Sequence, residues 1–167
     1  GAAIMGFRPV VEFQFADFAT DATTQICLNA GTFYFRSGSK LPMVMRFPSG
    51  GGLTFGSFHS QEMEGMYAQF PGLKILYPST VQDAFDCMLA AYDSDDPVLL
   101  FEHKGLYRGL RGDITISDDY HRVWHPRLVR EGNVATMVSY GQMVGTCEKV
   151  CAYLEDEYEH SFELFDL

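Results

Sequence analysis

Leu73-Lys74-Ile75-Leu76-Tyr77, Val81-Gln82-Asp83-Ala84-Phe85-Asp86-Cys87-Met88-Leu89-Ala90-Ala91-Tyr92 and Val98-Leu99-Leu100-Phe101 are the stretches that decide the fold. The first and last are short, largely apolar runs of strand length. Between them Val81, Ala84, Phe85, Met88, Leu89 and Tyr92 recur at helical spacing, an amphipathic stripe that faces a core. Ser79 with Gln82 makes a capping box at the helix start. Strand, helix, strand at this spacing is a crossover unit, which joins parallel strands. Strands that are apolar throughout, rather than alternating, belong to a sheet covered on both faces.

The same alternation continues upstream. Met43–Phe47 reads as a strand, closed by Pro48-Ser49 and three glycines. A short helix is expected from Ser60 to Gln69, with Ser60 as N-cap and Pro71-Gly72 as its stop. Val10–Phe15, after Pro9, is a further strand. Phe18, Ala22, Ile26, Ala30 and Phe33 then give a helical pattern that Ser37-Gly38-Ser39 breaks. Gly1–Gly6 is small and apolar and reads as the middle of a buried helix. Downstream, helical periodicity disappears between Glu102 and Asn133, where Asp113–Ser117 is a candidate edge strand. Val134–Tyr140 is a strand and Gly141–Tyr158 a helix, with Val144, Cys147, Cys151, Leu154 and Tyr158 on one face. Phe162–Leu167 is a last strand. The expected fold is α/β: a parallel sheet with helices on both faces over residues 1–110, a connector over 111–133, and the first βαβ unit of a second α/β domain over 134–167. Both ends look cut from a longer chain.

Apolar residues make up 47% of the 167, enough to build such a core. The net charge of −10 (12 − 22) argues against nucleic acid and anionic membrane surfaces as partners, since both attract Lys and Arg. The four cysteines form no C-x-x-C pair. Cys147 and Cys151 share a helix face, and a buried reduced pair outweighs a metal or redox pair. That fits a reducing compartment, the cytoplasm or, in a eukaryote, the mitochondrial matrix. No apolar run approaches the ~18 residues of a membrane span.

Among titratable groups His59 stands out. It follows a glycine-rich loop (Gly50–Gly52, Gly56) after a strand, where α/β sheets place their sites, and a histidine there can move a proton near neutral pH. The glycine run is not a phosphate loop, because no G-K-[ST] follows. Neither Ser57 nor Ser60 sits in a G-x-S-x-G elbow. His121 and His125 are four apart, but Arg122-Val123-Trp124 between them reads as strand, so no metal ligands are assigned. Asp93-Ser94-Asp95-Asp96 reads as a solvated turn.

Several motifs occur together in one order: Gly6-Phe7-Arg8-Pro9-Val10-Val11-Glu12-Phe13-Gln14-Phe15-Ala16-Asp17-Phe18, Arg36-Ser37-Gly38, Phe58-His59-Ser60-Gln61, Pro71-Gly72-Leu73-Lys74, Phe101-Glu102 with Lys104, Leu106-Tyr107-Arg108, and Arg130-Glu131-Gly132 through Val138-Ser139-Tyr140-Gly141 to Phe165-Asp166-Leu167. The ordered set resembles the beta subunit of thiamine-diphosphate-dependent 2-oxo acid dehydrogenases, in the transketolase superfamily. The resemblance implies a partial pyrimidine-binding domain, Phe18 and Gln14 as cofactor-binding residues, with Phe18 stacked on the aminopyrimidine, and His59 as the active-site histidine. It implies that thiamine diphosphate is shared with an alpha subunit or fused domain, which holds the diphosphate through Mg2+. A second beta chain and a lipoyl-bearing acyltransferase are the further partners implied. A monovalent cation on carbonyls near Met43, Val44 and Ala91 is implied by the same analogy. Two departures stand out: Thr24 replaces a usual acidic residue before Gln25, and neither the cofactor-activating glutamate nor the G-D-G…N diphosphate motif is in the chain. The fragment alone is therefore expected to be inactive. The alternatives are a transketolase-like or deoxyxylulose-phosphate-synthase-like enzyme, or a non-catalytic oligomerisation module.

Overall fold

The computed structural model describes residues 1–167. The first sheet contains β1 (Val10–Glu12), β2 (Val44–Ser49), β3 (Lys74–Leu76) and β4 (Val98–His103), in the order β1-β2-β4-β3, all parallel. The helices are α1 (Phe33–Ser37), α2 (Glu64–Tyr67), α3 (Val81–Asp93), α4 (Leu106–Gly109) and α5 (Gln142–Tyr158). The second sheet holds β5 (Arg127–Arg130), β6 (Ala135–Ser139) and β7 (Phe162–Asp166), in the order β5-β7-β6. Strands β6 and β7, joined by α5, are parallel, and β5 lies antiparallel to β7.

Both faces of the first sheet are covered, and side-chain alternation divides the core in two. Met45, Phe47, Leu99 and Phe101 point to one face, where Ala16, Ala19, Ile26, Cys27, Tyr67 and Tyr77 complete the packing. Phe47 stacks on Phe101 with centroids 4.8 Å apart. Val44, Val98 and Leu100 point to the other face and meet Leu76, Cys87 and Ala91, with Trp124 against them. Strand β1 is an edge, with Val10 and Val11 exposed.

Several local expectations change. The segment read as one helix from Phe18 is a 3₁₀ helix over Ala16–Ala22, then a π turn over Thr24–Ala30, then α1. The Thr20 and Thr23 hydroxyls donate to the carbonyls three residues earlier, at 2.8 Å each, which favours the tighter pitch. Gly1–Gly6 forms only a 3₁₀ turn, with Ile4 and Met5 exposed. Ser60 caps no helix, because α2 begins at Glu64 after Met63. Thr80, not Ser79, caps α3 by accepting the Asp83 N–H at 3.0 Å. Gln82 instead grips Thr115, accepting its N–H at 2.7 Å and donating to its carbonyl at 3.0 Å. That anchor holds 113–117 as a loop, not a strand. His121 lies in a 3₁₀ helix, Asp119–Trp124, rather than in a strand.

An ion-pair network joins the two sheets. Arg127 on β5 reaches Asp166 on β7 at 2.8 Å and Asp83 on α3 at 3.3 Å. Arg122 bridges Asp83 at 3.0 Å and Asp86 at 2.7 Å. The Ser79 hydroxyl lies within hydrogen-bond distance of both Asp83 and Asp166, and its single proton can go to either carboxylate. Burial pushes the Asp83 carboxyl up, but hydrogen bonds from Thr80, Arg122 and Ser79 and the charge of Arg127 hold it below the usual range. Asp166 goes the other way, raised by its burial despite Ser79 and Arg127. Residues 127–130, within the expected connector, thus serve as a strand of the second sheet.

Candidate functional site

Parallel strands end side by side, so the segments that follow β1, β2 and β4 share one rim. From β1 come Phe13 to Phe18. Phe13 extends the ladder, donating its N–H to the Arg46 carbonyl at 3.0 Å, and stacks on Phe47 at 5.0 Å. Ala16 and Ala19 are fully buried and pin the segment to the sheet. Gln14 is exposed and makes no side-chain hydrogen bond to either site residue. From β2 comes the glycine-rich loop that carries His59. From β4 comes Lys104.

The structure brings His59 and Phe18 together. The half-buried imidazole stands edge-on to Phe15 at 4.5 Å and to Phe18 at 5.4 Å, with interplanar angles of 89° and 83°. Phe15 and Phe18 are themselves edge-to-face at 6.0 Å. Phe18 keeps 42% of its surface exposed, so part of the ring is accessible to a ligand. Phe18 opens the helical pattern of this segment but stays out of the core.

Four polar residues with no role assigned from sequence lie in the segments that follow β1 and β2 and at the end of β4. Asp17 is 8% exposed, and its Oδ1 accepts the Gln61 N–H at 3.2 Å, while Oδ2 has no partner. The Lys104 ammonium donates to the Gly50 carbonyl at 2.9 Å and lies 5.5 Å from the Phe15 ring centre. Burial lowers its pKa, against the charges of Asp17 and Glu62. Glu62 accepts the Gly51 N–H at 3.1 Å and the Tyr77 hydroxyl at 3.1 Å. His103 is buried at the end of β4; its Nδ1 accepts the Gly105 N–H at 3.1 Å, which leaves the ring proton on Nε2, 3.9 Å from Glu62. Burial holds this imidazole below its ordinary pKa, opposed by Glu62 and assisted by Lys104. Gly50 has φ +102° and a Cβ there would fall 2.2 Å from the His103 ring, so only glycine fits. The glycine run signalled a turn but not this contact.

No three His, Cys, Asp or Glu side chains converge as metal ligands. His121 instead pairs with Asp93 at 3.2 Å. The Met43 and Ala91 carbonyls accept the N–H groups of Val98 and Ser94, and those of Tyr92 and Ser94 accept the Arg8 guanidinium at 2.9 and 2.7 Å. The four cysteines are free. No helix is long and apolar enough to cross a membrane.

Residues 1–109 match the family described as transketolase, pyrimidine binding domain. The 2-oxoisovalerate dehydrogenase subunit beta of Bacillus subtilis is 40% identical over 159 residues, 94% of this chain and 49% of that protein. The pyruvate dehydrogenase E1 component subunit beta of Mycoplasma genitalium is 43% identical over 145 residues, 84% of this chain and 44% of that protein. The chain thus spans about half the length of these curated relatives. Among solved structures, a split-gene transketolase, an inactive beta4 tetramer, superposes with TM-score 0.73 over 99% of this chain and 50% of that one, at 18% identity, a likeness of fold. The β1, β2 and β4 rim is thus built on a known scaffold, and the chain belongs to the transketolase pyrimidine-binding-domain family.

Proposed function

We propose that this chain is the ring-binding part of the beta component of a thiamine-diphosphate-dependent 2-oxo acid dehydrogenase, acting on pyruvate or a branched-chain 2-oxo acid. The observation that carries the proposal is the half-exposed Phe18 set against His59 at the carboxyl ends of three parallel strands. An open aromatic face suits offset stacking of a flat heteroaromatic ring. His59, backed by Phe15 and Phe18, stands beside that face, where an imidazole can give and take protons at neutral pH. Bound thiamine diphosphate would supply the electron sink for decarboxylation. The residues fit its ring end. For its diphosphate end the family's G-D-G…N motif is missing from these 167 residues. That end belongs to an alpha subunit or a fused domain. Gln14, exposed beside Phe15, is assigned to the cofactor side on the family motif alone.

The same proposal brings a second beta chain and a lipoyl-bearing acyltransferase as partners, in the cytoplasm or the mitochondrial matrix. A monovalent cation near Met43, Val44 and Ala91 would have to share the Met43 and Ala91 carbonyls, which already accept backbone N–H groups, as the second lone pair of each oxygen permits. A transketolase-type reaction is the weaker reading, because the relatives named for dehydrogenases share far more sequence with this chain than the transketolase structures do.

The test is to assay the full-length protein, with its diphosphate-binding partner, for reduction of a lipoyl acceptor by pyruvate and by branched-chain 2-oxo acids. Turnover of either acid is the expected result. Ketol transfer between sugar phosphates, with no 2-oxo acid turnover, would contradict the proposal.

A further inference from the structure

We propose that Asp17 is a positioning residue for His59, fixing the imidazole through the Gln61 backbone while Lys104 fixes the other end of the same loop; this rests on His59 being the proton-transfer group proposed above. Residues 50–63 contain no regular element and four glycines, and Phe55 and Phe58 on this segment are exposed. Thr54 is in a left-handed conformation with φ 56°. Such a segment does not hold a side chain to the fraction of an ångström that proton transfer needs. Its restraints come from outside.

At the start of the loop, Lys104 donates to the Gly50 carbonyl at 2.9 Å. Past His59, two residues on, Asp17 accepts the Gln61 N–H at 3.2 Å. Between these ties the imidazole makes T-shaped contacts with Phe15 and Phe18. Phe15, Asp17 and Phe18 lie on one four-residue segment whose Ala16 is fully buried. One rigid element therefore carries the open aromatic face, the rings behind His59, and the carboxylate that ties the histidine loop. Any shift of that element moves them together, which keeps the imidazole in register with whatever stacks on Phe18.

Asp17 has no ion pair. A carboxylate buried this deeply with one oxygen unpartnered is costly as a packing element, and an apolar residue would fill the space better. What the side chain provides is an oxygen that accepts the Gln61 backbone N–H from across the rim. The Lys104 ammonium, which the Asp17 charge stabilises, supplies the nearby positive charge.

The test compares Asp17→Ala, Asp17→Asn and Lys104→Met in the full-length protein assembled with its partner. Asp17→Ala is expected to lower kcat by about tenfold to a hundredfold, the scale of a displaced catalytic group, with the KM for thiamine diphosphate changed less than about twofold because Phe18 stays in place. Asp17→Asn keeps an oxygen that accepts the Gln61 N–H, so kcat should stay within about threefold of the parent. Hydrogen exchange gives a readout independent of turnover. The Gln61 amide should exchange faster in Asp17→Ala and near the parent rate in Asp17→Asn, and Lys104→Met should speed exchange at Gly51. The ring protons of His59 should lose their ring-current shifts in Asp17→Ala. Unchanged exchange and unchanged His59 signals in Asp17→Ala would overturn the proposal. So would an equal loss of kcat in the Asn and Ala variants, which would mean that charge rather than position matters. If the exchange and ring signals respond as expected while the parent turns over no 2-oxo acid, the positioning stands and the assigned reaction fails.

Discussion

Two polar clusters adjoin the first sheet, and they differ in how completely their groups are paired. On the α3 side, Asp83, Asp86, Asp166, Arg122, Arg127 and Ser79 form a closed set, in which every carboxylate meets a guanidinium or a hydroxyl. At the carboxyl ends of the strands, the buried oxygens Asp17 Oδ2 and Glu64 Oε2 have no partner, and the aromatic floor is left half open. Native proteins pair nearly all their buried polar atoms, so groups left over ask for a reason. The closed cluster explains itself as the joint between two sheets. The open one makes sense where a ligand or a second chain completes it.

The comparison breaks most visibly at His59. In the assembled full-length protein, His59→Ala is expected to reduce turnover by roughly 10²–10⁴ while the unfolding midpoint stays put, because the ring is only half buried. Steady-state kinetics with a melting curve checks both halves; near-normal turnover would take His59 out of the site. Arg122→Ala should do the opposite. Asp83 and Asp86, both buried, lose a counter-charge, and breaking such a pair costs about 2–3 kcal/mol, below the fully buried range because the guanidinium is partly solvated. Denaturant unfolding should register that loss, with turnover per folded molecule unchanged. A stable but slow Arg122 variant would erase the distinction between the clusters.

The smallest effect concerns pH. The His103 imidazole is held below its ordinary pKa by burial. The unfolded chain therefore binds more protons at this position from about pH 6.5 downward. The stability it contributes is fully present above that value and is lost as pH falls through the folded-state pKa. His103→Asn, whose oxygen can take the Gly105 N–H, should flatten the decline in stability between about pH 7 and pH 5. A slope equal to that of the parent protein would mean His103 is not the group titrating.

Much of this was legible in the sequence where the signal is local. Apolar runs marked β2, β3 and β4, and the stripe from Val81 to Tyr92 marked α3. Legibility failed where polar residues are buried through distant partners. Strand β4 runs two residues past Phe101, where Glu102 accepts from Nε and Nη2 of the Arg46 guanidinium, at 2.6 and 2.7 Å, from 56 positions away. Strand β5 hides behind Arg127 and Arg130, whose charges are met by Asp166 and Glu155. The same holds for the site. His59 was singled out by its place after a glycine-rich turn and Phe18 by a motif, and the structure sets the two rings 5.4 Å apart. Asp17 could not be given a role, because the N–H it holds lies 44 residues on.

The central claim is that this chain carries the ring side of a cofactor site and not the diphosphate side. Stacking on Phe18 contributes on the order of 1 kcal/mol beyond burial, whereas association costs at least about 4 kcal/mol, and the sequence holds no G-D-G…N diphosphate motif. Isothermal titration of the 167-residue chain with thiamine diphosphate and Mg2+, beside the same titration of the full-length protein with its partner, measures this directly. The expected result is no binding heat from the chain alone and saturable binding in the assembly. Micromolar binding by the chain alone would contradict the claim and mean that a complete site lies within these residues.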